Sequence, residues 1–235
     1  MDAPTSKKIN FPLVPVILLI VGLVAGFFVG GIYQTQRFMN SLENNPPRSP
    51  EEFTWNRLPT ADINFPVSVK PHWTKGDPGS RVRYGLFLDL ECPYCRQFII
   101  ELLPELLRRD DVYLEMYDLP IPELHPEAVL WSSYARCVAD RDSDGYIDFI
   151  TRVSQLDVFS DENMQKVIYD MGVYTEDEAD ALQECVQEKN PLVEEVANGV
   201  RSVGINGTPF SIINGRALQG YVPYDYFLSL IETVR

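Results

Sequence analysis

The sequence predicts an α/β domain, a small sheet interrupted by a block of helices, with one apolar span ahead of it. Three observations carry this. A 21-residue run without a charged side chain, Leu13 to Tyr33, lies near the N-terminus. Strand-like segments sit on both sides of the later chain, at Val82–Leu90, Val112–Leu119 and Pro209–Gln219. Between the second and third of these, residues 122–203 carry helical spacing throughout.

The span at 13–33 is long enough to cross the hydrocarbon core as a helix, and Pro15 falls near its start, where a missing amide proton matters least. The apolar run exceeds that of a cleaved signal, and Gln34-Thr35-Gln36-Arg37 offers no small-residue cleavage site. It therefore reads as an uncleaved, single-pass anchor in the cell membrane. Lys7 and Lys8 precede it, which keeps residues 1–12 in the cytoplasm and exports everything after Tyr33. Gly22, Gly26 and Gly30 fall on one face of the span, either for close helix approach or because glycine is common in such helices. Residues 34–60 form a linker, polar and proline-rich at Asn44-Asn45-Pro46-Pro47-Arg48-Ser49-Pro50. Residues 61–235 form the exported domain.

Within that domain, Phe65–Lys70 reads as a short edge strand and Gly76–Ser80 as a turn. Val82–Leu90 is a strand, and Arg96–Arg109 is a helix with Phe98, Leu102, Leu103, Leu106 and Leu107 on one side and a kink at Pro104. Val112–Leu119 is the second strand. Helices are expected over Glu127–Ala139, Tyr146–Leu156, Asp161–Met171, Thr175–Gln187 and Leu192–Val203. Thr175 with Glu178 fits a capping box, and Ser160 with Asn163 is a poorer cap. Pro209–Ile213 and Arg216–Gln219 flank Asn214-Gly215, a strong hairpin signal. A last helix begins near Pro223.

Composition narrows the function. The 235 residues are 45% hydrophobic and 23% charged, as in ordinary globular proteins. A net charge of −14 argues against nucleic acid as a partner. Only two histidines, His72 and His125, are present, and neither is near a cysteine in sequence. Four cysteines permit two disulfides, or one redox pair and two thiols.

Cys92-Pro93-Tyr94-Cys95 is the chemical centre of the sequence. A C-x-x-C pair occurs in zinc and redox sites, but zinc needs a second close pair, and Cys137 and Cys185 lie far apart. The pair instead follows a strand and opens a helix, where free amides and partial positive charge favour a thiolate at Cys92. Cys92 is the expected exposed nucleophile. Cys95, one turn later and more buried, resolves the mixed disulfide. Asp89 and Glu91 place negative charge close by and oppose the thiolate. Either relays a proton to Cys95 or is simply a solvated acid at a strand end.

The segment Phe87-Leu88-Asp89-Leu90-Glu91-Cys92-Pro93-Tyr94-Cys95-Arg96-Gln97-Phe98 resembles the active site of DsbA-like oxidoreductases of thioredoxin-like fold. Val203-Gly204-Ile205-Asn206-Gly207-Thr208-Pro209-Phe210, with Asn214-Gly215 and Gly220, is similar to the cis-proline loop, hairpin and following turn of the same family. The resemblance spans roughly residues 65–235. It implies a cis Thr208–Pro209 peptide facing the dithiol and lining the substrate site. The 114 positions from Cys95 to Pro209 match the helical insertion of the DsbA type rather than a plain thioredoxin. Tyr94 stands where the best-known members carry a histidine, which removes a cation and implies a milder oxidant. Relatives carry cysteines near Cys137 and Cys185, so these two form either a structural disulfide or a pair of buried thiols.

Asp140-Arg141-Asp142-Ser143-Asp144-Gly145-Tyr146-Ile147-Asp148 matches the first nine positions of a calcium loop, with Asp140, Asp142, Asp144, Tyr146 and Asp148 at ligand positions. Position twelve is Thr151 instead of glutamate. The segment is either a weak structural calcium site or a polar interhelical turn.

The expected activity is disulfide formation in exported proteins by the redox-active disulfide itself, with no other cofactor. The resemblance implies reoxidation by a membrane quinone-linked thiol oxidase, DsbB-like or VKOR-like. A reductase or isomerase, for example in cytochrome c maturation, is the alternative. A non-catalytic tethered peptide-binding module is the third reading.

Overall fold

The computed structural model describes residues 63–234. The apolar span at 13–33 and the linker at 34–60 lie outside the described residues. Among the described residues, no helix is long and apolar enough to cross a membrane.

Five strands form one sheet: β1 (Trp73–Lys75), β2 (Val82–Leu88), β3 (Val112–Asp118), β4 (Phe210–Ile213) and β5 (Arg216–Gln219), in the order β1-β3-β2-β4-β5. β2 and β3 run parallel, and every other neighbouring pair is antiparallel. The parallel pair needs a crossover. It is supplied by α1 (Pro93–Glu101) and α2 (Leu103–Leu107). Four helices then follow before the sheet resumes: α3 (Ala128–Arg141), α4 (Tyr146–Ser154), α5 (Asp161–Asp170) and α6 (Ala179–Ser202). The chain closes with α7 (Tyr224–Thr233).

β2 is buried on both faces, which is why it reads as a nearly unbroken apolar run. Val82, Tyr84, Leu86 and Leu88 join the larger core with Phe98 of α1 and Phe227 of α7. Phe87 points the other way, into a smaller core with Tyr117, Val196, Ala197, Val200 and Ile205. The hairpin turns at Asn214 (φ 45°) and Gly215 (φ 77°), the left-handed pair a two-residue turn requires.

Three elements differ from the sequence expectation. Phe65–Lys70 is not a strand: Pro66 lacks an amide to donate to a ladder, and its carbonyl accepts from Val69 N to close a turn. Phe65 and Val69 pack on the smaller core instead, with Phe65 stacked near Phe87 and Tyr117, while Val67 is exposed. The edge strand is β1. The helix expected over Arg96–Arg109 begins earlier, at Pro93, and is broken rather than kinked, since Leu102 leaves the helix just before Pro104 starts the first turn of α2. The two helices expected over 175–187 and 192–203 are one, α6, which runs through Pro191 after a short 3-10 turn at Glu176–Glu178. Burial of Leu182, Val186, Val193, Val196, Ala197 and Val200 along it outweighs the one amide that proline removes.

Candidate active site: the Cys92–Cys95 dithiol

The end of β2 delivers the site. After Leu88 the chain turns through Asp89-Leu90-Glu91, and Cys92 becomes the N-cap of α1 in extended conformation (φ −68°, ψ 122°), with Pro93 in the first helical turn. Cys92 and Cys95 are free thiols, so this is the dithiol form. Cys92 keeps 6% of its surface exposed and Cys95 none. The nucleophile is thus less open than the sequence suggests, because the loop before β4 folds over it. The Thr208–Pro209 peptide is cis, and Cys92 Sγ lies 3.6 Å from Thr208 O. Thr208 Oγ1 is buried with no hydrogen-bond partner among the described residues.

The two thiols are driven apart in acidity. Cys92 is pushed down to about 6, chiefly by the hydrogen bond from the Cys95 thiol, against the cost of its own burial. Backbone amides at the helix start act in the same direction. Cys95 is pushed well above the ordinary thiol range, first by burial and then by the neighbouring Cys92. One sulfur is therefore a thiolate at neutral pH and the other a protonated donor to it.

The flanking residues are placed as follows. Tyr94 is 57% exposed, on the open side of the dithiol. Asp89 is not a solvated acid: it is fully buried, and its carboxylate accepts from Glu91 N (2.9 Å), Ile121 N (2.9 Å) and His125 Nδ1 (2.8 Å). Glu91 reaches the same loop, accepting from Glu127 N at 3.1 Å. Sequence reasoning passed over His125, whose partner lies 36 positions away and leaves no local signal. It also passed over Arg96, which docks α1 on the helical block. Its guanidinium donates to Ser154 O (3.0 Å) and Leu156 O and stacks on Phe159.

Cys137 in α3 and Cys185 in α6 are bonded, with S–S 2.06 Å and Cα–Cα 6.0 Å. Of the two readings of Asp140–Asp148, the calcium loop does not gather its acids, because helices take most of the segment. Asp140 lies in α3 and pairs with Lys189 at 2.8 Å. Asp142 turns back to accept from Gly145 N, and Asp148 in α4 pairs with Arg152. Asp144 stays exposed, and Tyr146 is buried with its hydroxyl 2.7 Å from His72 Nε2. Among the described residues, no three His, Cys, Asp or Glu side chains are grouped so as to hold a metal ion.

Solved structures share this fold. The thiol-disulfide exchange protein alpha-DsbA2 from Wolbachia pipientis is 22% identical, with TM-score 0.58, over 74% of this chain and 89% of that one. BdbD from Bacillus subtilis, in its oxidised form, is 18% identical with TM-score 0.60, over 74% and 97%. The catalytic domain of Proteus mirabilis ScsC is 20% identical with TM-score 0.54, over 71% and 90%. No curated protein sequence matches significantly. A thioredoxin family model matches residues 68–233, a stretch that holds the whole sheet and both cysteine pairs. The chain belongs to the thioredoxin family, as a protein disulfide oxidoreductase of DsbA-like architecture.

Proposed function

We propose that this chain oxidises the dithiols of exported proteins, working outside the cytoplasm at the end of a membrane anchor. One observation carries the direction of electron flow: the acidity gap between Cys92 and Cys95. A thiolate stabilised at Cys92 favours the dithiol form, so the disulfide form takes electrons readily. The apolar run at 13–33 with Lys7 and Lys8 before it supports the anchor and its orientation. A Cys137–Cys185 bond suits an oxidising compartment.

In the disulfide form, a substrate thiolate attacks Cys92 Sγ. A substrate–Cys92 bond forms, the Cys92–Cys95 bond breaks, and Cys95 leaves with the electron pair and takes up a proton. A second substrate thiolate then attacks the substrate sulfur of the mixed disulfide. The substrate disulfide forms, and Cys92 departs as a thiolate whose low pKa makes it a good leaving group. Two electrons pass from substrate to the Cys92–Cys95 pair. A quinone-linked membrane thiol oxidase, DsbB-like or VKOR-like, accepts them and restores the disulfide.

A Cys92 pKa of about 6 lies between about 7 for thioredoxin and about 3.5 for DsbA. The expected reduction potential accordingly falls between about −270 and about −120 mV. Equilibration with glutathione, followed by thiol trapping, measures it. A potential more reducing than that of thioredoxin would reassign the chain to the reductase and isomerase reading. Full substrate oxidation by Cys92→Ala would reassign it to a binding module.

A further inference from the structure

Asp89 touches both cysteines through its backbone. Its amide donates to Cys95 Sγ at 3.5 Å, and its carbonyl accepts from Cys92 N at 3.1 Å. What holds Asp89 therefore holds the dithiol. Two of the three donors on its carboxylate are backbone amides, one from the same turn and one from the loop after β3. The third is the His125 side chain, 18% exposed against a carboxylate with no exposure. The carboxylate already accepts from two amides, and the His125 tautomer that completes the set is the one in which Nδ1 donates. Among the described residues, His125 Nε2 has no hydrogen-bond partner, and its Nδ1 contact is with Asp89.

We infer that His125 is a positioning residue for the redox site, acting through Asp89 on both cysteines. The inference rests on the dithiol reading and adds to it a residue far away in sequence. Loss of the His125 donor has two effects of the same sign. The carboxylate beside the dithiol becomes less compensated, which disfavours the Cys92 thiolate. The Asp89 backbone also loses an anchor, which loosens its donor to Cys95 Sγ. Both destabilise the dithiol form relative to the disulfide.

The experiment uses the purified full chain and four proteins: wild type, His125→Ala, His125→Asn and His125→Gln. An asparagine amide reaches the Nδ1 position, whereas a glutamine amide reaches the Nε2 position. Two readouts apply, the equilibrium constant with glutathione and the Cys92 titration followed by thiolate absorbance. Expected for His125→Ala and His125→Gln are an equilibrium constant moved about tenfold toward the disulfide form, equal to about 30 mV, and a raised Cys92 pKa. Expected for His125→Asn is recovery to within about threefold of wild type. If His125→Ala does not fold, the contrast between Asn and Gln decides alone. Variants that fold and match wild type in both readouts overturn the inference, as does an Asn variant displaced as far as Gln. A wild-type chain with no reversible Cys92–Cys95 couple defeats the proposed function itself, an outcome recognisable before any variant is read.

Discussion

Two pairs of the same residue meet opposite fates in this molecule. Cys92 and Cys95 lie three positions apart at a helix start, as free thiols of very different acidity. Cys137 and Cys185 lie 48 positions apart in the middle of α3 and α6 and form a bond. The first pair borrows its properties from a strand end, helix amides and the Thr208–Pro209 loop. The second pair only joins two helices that already pack together. Cysteine chemistry here is thus set by what surrounds the sulfur, and the sheet and the helical block supply quite different surroundings.

The largest expected effect breaks the first pair. Cys92→Ala lowers oxidation of a reduced test protein to the uncatalysed background, whereas Cys95→Ala accumulates mixed disulfides visible on non-reducing gels. Equal behaviour of the two variants would erase the division of labour between the sulfurs.

Next in size is the second pair. The double change Cys137→Ala with Cys185→Ala removes a cross-link over 48 positions and costs about 4 kcal/mol in urea unfolding on the chain-entropy estimate. The potential of the Cys92–Cys95 couple is expected to stay where it was. A shifted potential would mean that the helical block tunes the site.

A finer test titrates the site. Alkylation of Cys92 is expected to be half-maximal near pH 6. The folded pKa lies below the ordinary thiol value of 9.0, so the thiolate stabilises the dithiol fold fully above about pH 9 and loses that as pH falls through about 6. Cys95 has the opposite sign: its pKa is raised, so its contribution is lost as pH rises beyond the ordinary thiol value. The dithiol form should therefore gain stability over the disulfide form from about pH 6 to about pH 9, and lose it again at higher pH. Half-maximal alkylation at the ordinary thiol value would exclude a stabilised Cys92 thiolate.

The smallest effect lies in the helical block. Ser160 caps α5 by accepting from Asn163 N at 3.2 Å. Ser160→Ala is expected to cost about 1 kcal/mol in thermal or urea unfolding with substrate oxidation unaltered.

Legibility in the sequence followed the range of the interactions. β2 and β3 show in their apolar runs, the hairpin in Asn214-Gly215, and the cap of α5 in Ser160, because each rests on neighbours along the chain. Phe65–Lys70 misleads because Pro66 closes a turn inside it, while Phe65 packs on Phe87 and Tyr117 without pairing in the sheet. Pro191 suggests a break between two helices, but a continuous buried face carries α6 through it. The acids of Asp140–Asp148 match a calcium loop in spacing, yet that spacing says nothing of Lys189 and Arg152, which take two of them.

By itself the sequence determined most of the order of elements and the chemistry of the site, a dithiol at the mouth of a helix, while the proline loop facing it was legible only through the family resemblance. Helix periods, turn residues and the C-x-x-C spacing are local, so they can be read without the fold. The tertiary structure alone decided the bond between Cys137 and Cys185, the burial that separates Cys95 from Cys92 in acidity, and the tie from His125 through Asp89 to both sulfurs. Each depends on groups brought together across 36 or more positions or on exclusion of water, and neither is written in the order of residues along the chain.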